Sequence, residues 1–206
     1  MKKTLLLGML LVALISSCTS HPTASPADDP SFHDVITSRR SIRHYDATRT
    51  ITEAQVRQLL TLAQKAPSWA NTQASKYYVA ITPEKIAAVQ GMIGDFNKRN
   101  VQGAPVLMVS TFERGKSGHF NGKSTNEIGD GWGAYDNGVS NAFLVLSARS
   151  MGFDTLIMGM RDSDALRTLF GIPDNETVMS VIALGYRASE PKRPGRRPLD
   201  EIVSFH

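Results

Sequence analysis

Three arginines and a serine fall within five residues at Arg39-Arg40-Ser41-Ile42-Arg43. A guanidinium offers two parallel N–H donors that match phosphate oxygens, and a hydroxyl adds a third donor, so this run has the chemistry of an anion trap. A second basic group, Lys192, Arg193, Arg196 and Arg197, stands at the other end of the chain. If folding brings the two ends together, they grip one phosphate from two sides. Charge alone fits equally well a solvated basic turn and a charged tail. A third stretch, Ala66-Pro67-Ser68-Trp69-Ala70-Asn71-Thr72-Gln73, sets serine, asparagine and glutamine close together. Such groups can meet the edge of a heterocycle with matched donors and acceptors, or cap their own backbone.

Other chemistries find little support. The five histidines, His21, His33, His44, His119 and His206, are scattered with no ligand partner at helical spacing, and Cys18 is the only cysteine. No metal site and no internal disulfide is expected. There is no Gly-x-Gly-x-x-Gly after a strand and no P-loop, so the common nucleotide folds are unsupported. Without Lys2 and Lys3 the excess of basic over acidic residues falls from four to two, and aromatic residues are 7% of the 206. That balance, with no recognition signature, argues against a nucleic-acid partner.

The chain divides into three parts. Residues 1–17 read as a signal peptide, with Lys2 and Lys3 before an apolar run from Leu5 to Ile15 that is shorter than the ~20 residues of a spanning helix. Ile15-Ser16-Ser17-Cys18 resembles a bacterial lipobox, which makes Cys18 the lipidation site and the cell envelope the address. Ordinary secretion with an incidental cysteine is the alternative. Residues 18–30, rich in Pro, Ser and Asp, read as a flexible tether, and 31–206 as the body.

In the body a first helix is expected from Ser31, carrying Phe32, Val35 and Ile36 on one side. Thr52 and Gln55 form a capping box for the next helix, which Pro67 stops. KYYVAI at 76–81 reads as a strand. Thr82 and Pro83 open a helix whose buried side is Ile86, Val89, Met92, Ile93 and Phe96. Pro105 to Val109 reads as a strand, and the glycine-rich 112–131 segment as a long mobile loop, a candidate lid. Trp132 to Met151 is a long helix with Tyr135, Val139, Phe143 and Leu146 facing the core. A strand at 155–160, a helix at 163–170 ended by Gly171, and a strand at 178–186 follow. Strands and helices mix without a βαβ cadence, which is the pattern of an α+β domain.

Taken in order, these pieces resemble the nitroreductase family of FMN-dependent oxidoreductases. The resemblance runs from Phe32 to Val203. It is carried by Arg-Arg-Ser-Ile-Arg with Tyr45, Ala-Pro-Ser-x-x-Asn-x-Gln, Phe96-Asn97-Lys98-Arg99, Asp136-x-Gly138 before Met151-Gly152-Phe153, Met158-Gly159, Leu184-Gly185-Tyr186 and Arg196-Arg197-Pro198-Leu199. It implies a mostly antiparallel sheet wrapped by helices, and a homodimer with FMN at the interface. Arg39 and Ser41 would bind the FMN phosphate with Arg40 nearby, and Arg43 would sit by the flavin N1 and C2 oxygen. Pro67, Ser68, Trp69 and Asn71 would contact the same flavin from the second subunit. Asn97 would reach its polar edge or ribityl chain. Met158 and Gly159 would bring backbone N–H groups to N5 and O4, and Arg196 or Arg197 would complete the phosphate site. The implied activity is ping-pong hydride transfer from NAD(P)H or another reductant to nitroaromatic or quinone-like acceptors. The alternative is a flavin-binding or scavenging lipoprotein without turnover. Asn100 stands where some relatives carry a basic residue favouring a nicotinamide, which leaves the donor open.

Overall fold

Val106–Glu113 (β2) and Glu176–Gly185 (β6) are nearly unbroken apolar runs, and strands that are apolar on both sides need cover on both faces. They pair antiparallel at the centre of a four-stranded sheet. Ser75–Ala80 (β1) flanks β2 and Asp154–Met158 (β5) flanks β6, giving the order β1-β2-β6-β5 with every neighbouring pair antiparallel. The computed structural model describes residues 30–206; the expected signal peptide, Cys18 and the expected tether as far as Asp29 lie outside the described residues.

Alternation along the central strands divides the core in two. Leu107, Val109, Val181 and Ala183 pack on one side with Ile42, Val89, Ile93 and Leu166. That side is covered by Pro83–Gln90 (α3), Gly94–Asn100 (α4) and Ser163–Phe170 (α6). Val106, Met108, Ile182 and Leu184 face the other way, onto Val56, Leu59, Leu144 and Phe153. Those come from Glu53–Ala63 (α2), Gly131–Ser150 (α5) and the start of β5. The α+β architecture with an antiparallel sheet is therefore observed.

Local signals set the helix ends. The Thr52 hydroxyl accepts from the Gln55 N–H at 3.3 Å while Gln55 accepts from the Thr52 N–H at 2.9 Å, the expected capping box. Thr82 caps α3 with Pro83 in its first turn. Asp162 caps α6, and Gly171 ends it at φ +64°, where a side chain would be strained.

Four expectations need correction. In Phe32–Ser38 (α1) Val35 is buried, but Phe32 and Ile36 are exposed. The run after Thr82 is two helices, because the chain turns at Gly91 and takes φ +74° at Gly94; Phe96 is left exposed. The 112–131 segment is folded: β2 continues to Glu113, and a small hairpin of His119–Phe120 (β3) with Lys123–Ser124 (β4) leads into α5. Ser117 is buried there, bonded to Thr72 at 2.8 Å.

The fourth correction concerns α5. Tyr135 is 64% exposed and Phe143 37%. The buried stripe is instead Asp136, Asn137, Ser140 and Asn141, then Leu144, Val145 and Ala148. Its polar half is satisfied. Ser110 donates to Asn137 at 2.7 Å, Asn137 donates to the Thr111 carbonyl at 2.8 Å, and the Tyr77 hydroxyl lies 2.8 Å from Ser140 and 3.0 Å from Asn141.

On the opposite face a register shift in the β2–β6 ladder between Ser110 and Thr111 accompanies a second polar knot. Glu176 is fully buried and accepts from Thr111 at 2.6 Å, Lys76 at 3.0 Å and Tyr78 at 3.0 Å. Burial alone would raise its pKa, but these donors outweigh that and hold it below the usual glutamate range. A lowered folded pKa stabilises the fold above the unfolded value of about 4.3, and that contribution disappears as pH falls through the folded value. Glu176→Ala is expected to cost about 2–3 kcal/mol in urea titration at neutral pH by orphaning its donors. The gap from the native chain should narrow below about pH 4, and a gap independent of pH would contradict this account.

Candidate functional site

Arg39 caps α1 and leaves it in extended conformation (φ −59°, ψ 134°), so residues 40–46 run out along the sheet edge. Ile42 is the plug that holds them, buried to 1% exposure with its N–H on the Thr155 carbonyl at 3.0 Å. Further on, the Asp46 N–H bonds the Tyr186 carbonyl and the Ala188 N–H bonds the His44 carbonyl, each at 2.9 Å. The segment that follows β6 is thereby drawn back beside the segment that follows α1.

A buried ion pair locks this return. Arg187 places two nitrogens on Asp154 at 2.8 and 2.5 Å, with Asp154 almost sealed from water. The hydrogen bonds it donates to Asp154 raise the guanidinium pKa above its ordinary value. Arg149 reaches Asp154 at 3.6 Å and donates to Ser38 at 2.9 Å. The ends of α1 and α5, the start of β5 and the tail meet at this carboxylate.

The two basic clusters therefore converge. A cavity of about 330 Å³ is lined by Arg39, Arg40, Ser41 and Arg43 from one side and by Lys192, Arg193 and Arg196 from the other, with Ile36 and Leu146 as its apolar wall. Among the described residues, no carboxylate lies within 4.0 Å of Arg39, Arg43, Lys192, Arg193 or Arg196; Arg40 has Glu190 at 3.9 Å. Burial and then the charges of Arg196, Arg40 and Arg193 push the Arg39 pKa below its ordinary value. Like charges crowd this cavity, and an anion would relieve them.

Neighbouring arginines differ in what they reach. Arg40 turns inward, donating to the Thr37 carbonyl at 2.7 Å and its neighbour's at 3.0 Å, so its guanidinium caps the end of α1. Of the two tail arginines, Arg196 lines the cavity and Arg197 does not. Asn97 lies near the end of β5, its side-chain amide 3.4 Å from the Met160 carbonyl. Met158 ends β5 with its side chain in the core, and the Gly159 carbonyl accepts from Arg161 at 2.8 Å.

The Pro67–Asn71 stretch sits elsewhere. Pro67 and Ser68 line a second cavity of about 610 Å³ between α2, β1 and α5, which shares no lining residue with the first. Ala70, Asn71 and Gln73 all hold positive φ, at 43°, 56° and 50°. Three such non-glycine residues in four positions is a costly backbone. It is held by the Trp69 N–H on Asp136 at 2.9 Å, the Gln73 N–H on the Ser68 hydroxyl at 3.0 Å, and the Thr72–Ser117 contact. The anchoring of the loop by Asp136 and the locking of the tail by Asp154 and Arg187 are roles that sequence reasoning missed. The only sequence signal was the Asp136-x-Gly138 pair, to which no role attached.

The family model for the nitroreductase family matches residues 36–186. An NADH dehydrogenase of Thermus thermophilus is 24% identical over 189 residues, 80% of this chain and 91% of the relative. YdgI of Bacillus subtilis, classed by its name with NAD(P)H nitroreductases, is 24% identical over 206 residues, 84% of this chain and 97% of that protein. Among solved structures, a protein of Exiguobacterium sibiricum crystallised in complex with FMN superposes with a TM-score of 0.78 at 21% identity, covering 86% of this chain and 98% of the other. With the matched segment spanning the sheet, the first arginine cluster and the strained loop, the chain belongs to the nitroreductase family.

Proposed function

We propose that this protein is an FMN-dependent oxidoreductase that moves two electrons from NAD(P)H, or a comparable reductant, to quinone-like or nitroaromatic acceptors. The observation that carries the reading is the cavity where Arg39, Arg43, Lys192, Arg193 and Arg196 stand together with no carboxylate among the described residues within 4.0 Å of them. A phosphate monoester fits that demand in charge and in hydrogen-bond geometry, with Ser41 as a further donor. The family and the FMN-bound structural neighbour support the same cofactor.

When bound, FMN supplies the carrier that accepts two electrons and a proton from one substrate and passes them to the next. The chain's own groups bind and orient it. Arg39, Arg196 and Ser41 hold the phosphate, and Arg43, exposed beside them, favours negative charge on the ring system. Asn97 and the backbone at Met158 and Gly159 lie at the end of β5 to meet the polar edge. The exchange balances: NAD(P)H gives up two electrons and one proton, solvent gives the second proton, and a quinone leaves as hydroquinone.

The site reads as half of a whole. The strained Pro67–Asn71 loop, with Trp69 in it, lies outside the cation cavity, while α5 exposes Tyr135, Ala142 and Phe143. An apolar stripe of this kind on a helix is the mark of an association surface. We take a second copy to cover it and to bring its own 67–71 loop to the flavin. Envelope anchoring through lipid on Cys18 belongs to the same reading; Cys18→Ala should move the protein from the membrane to the soluble fraction of its host.

Purified protein lacking residues 1–18 should be yellow, bleach with NADH or NADPH without oxygen, and recolour on adding a quinone. Stable yellow with both donors would instead support the flavin-holding alternative. Arg39→Ala and Arg43→Ala should each weaken FMN binding at least tenfold, since a charge-assisted hydrogen bond contributes about 1.5–3 kcal/mol. Removing Arg39 also relieves repulsion, so the FMN-free variant should unfold at the same urea concentration as the FMN-free parent or higher. Full FMN content in both variants would show the site is misplaced. Phe143→Glu should shift the protein to monomer in sedimentation and lower its FMN content together.

A further inference from the structure

Beyond the end of β5 the chain crosses Gly159, Met160 and Arg161 before Asp162 caps α6. Three contacts fix this crossing. Arg161 donates to the Gly159 carbonyl at 2.8 Å, the Asn97 amide meets the Met160 carbonyl at 3.4 Å, and the Asp162 N–H bonds the Met92 carbonyl at 2.7 Å. The Arg161 guanidinium also donates to the Val178 carbonyl, which ties the crossing to β6. As a tie it is an expensive choice. Among the described residues no carboxylate lies within 4.0 Å of Arg161, and its Nε is buried without a hydrogen-bond partner. A charge drawn partly out of water with no counter-ion costs stability. A neutral side-chain amide could bridge two carbonyls without that cost.

The clamp decides where the backbone donors of this turn point. β5 runs parallel to the first arginine segment, with Ser41 opposite Thr155 and the Ile42 N–H on the Thr155 carbonyl. Along a strand the backbone groups of every second residue face the same edge. The Gly159 N–H, four residues on, therefore faces the edge along which Ser41 and Arg43 run. Drawing the Gly159 carbonyl toward β6 sends the Met160 N–H the opposite way, because the C=O and N–H of a trans peptide point apart. Two consecutive N–H groups thus share one edge, about 13 Å beyond the Ser41 bridge at ~3.3 Å per residue. No backbone acceptor among the described residues takes the Met160 N–H. Successive free N–H groups favour electron-rich atoms.

We propose that Arg161 is a positioning residue for the flavin: it turns two free N–H donors to the polar edge of the ring and sets its charge behind the peptide that carries them. The proposal rests on the flavin reading above and adds a residue that tunes the bound ring. A guanidinium on the carbonyl side polarises the peptide and strengthens its N–H as a donor. Positive charge on this side also favours the ring when it is electron-rich, that is, reduced. The cation cavity decides how tightly the cofactor is held, and Arg161 how readily it takes electrons.

The test measures the midpoint potential of FMN bound to the protein, by spectral equilibration with reference dyes. Arg161→Met, close in length and uncharged, should lower the equilibrium constant for two-electron reduction about tenfold, a fall of about 30 mV. Arg161→Gln keeps a donor for the Gly159 carbonyl; it should shift the potential in the same sense, and it carries the test if Arg161→Met does not fold. Arg161→Lys keeps the charge and should stay nearer the parent than either. Arg161→Met should weaken FMN and riboflavin binding in equal proportion, whereas Arg39→Ala should act on FMN alone. A parental potential in Arg161→Gln, with or without a lower urea midpoint, would reduce the residue to a structural tie and overturn the proposal. So would a lysine variant no nearer the parent than Arg161→Gln, or a loss that falls on FMN and spares riboflavin. Parental protein that binds no FMN would remove the flavin reading itself, an outcome visible before any variant is made.

Discussion

Everything in the cation cavity depends on one carboxylate kept out of water. Asp154, with Arg187 on both its oxygens and Arg149 behind, draws the ends of α1 and α5, the first residue of β5 and the departing tail to a single point. Burying an ion pair recovers its desolvation cost only when geometry and further hydrogen bonds are good. Here the guanidinium also reaches Ser38 and Glu190, so its remaining donors are used. With the tail held there, Lys192, Arg193 and Arg196 have to stand over Arg39 and Arg43. The fold thus spends one neutralised pair to hold five un-neutralised cations together, an arrangement that favours an anionic ligand over an empty cavity.

What could be read from the sequence was what is local. Thr52 with Gln55, Thr82 with Pro83, and Gly171 each decide a helix end within a few residues, and all three stand where expected. The two arginine clusters were visible as chemistry, but their meeting was not. It depends on backbone bonds between residues more than a hundred positions apart, such as Ile42 to Thr155 and Ala188 to His44. The 112–131 segment was misread for a different reason. Its glycines serve turn geometry and close approach, as Gly118 does under Trp132, and such glycines look the same in sequence as those of an unstructured loop.

The error on α5 is the most instructive. Periodicity assumes that the apolar stripe is the buried one. In α5 the stripe against the sheet is Asp136, Asn137, Ser140 and Asn141, paired with Tyr77, Ser110 and the Thr111 carbonyl, while Tyr135, Ala142 and Phe143 face outward. A satisfied buried polar layer fixes the helix in one register, because a slip would orphan its donors and acceptors.

That inversion connects packing to function. A helix that turns its polar residues inward has its apolar residues left for another surface. The same helix carries Asp136, which anchors the strained loop, at one end and Leu146, which walls the cation cavity, at the other. Any partner that covers the exposed stripe is therefore placed between the strained loop and the cation cavity. In the proposed two-fold dimer the same patch meets itself, so the loop that one protomer's cavity lacks would be the loop that the other presents. The polar seam under α5 is in this sense part of what leaves the apolar stripe free for that partner.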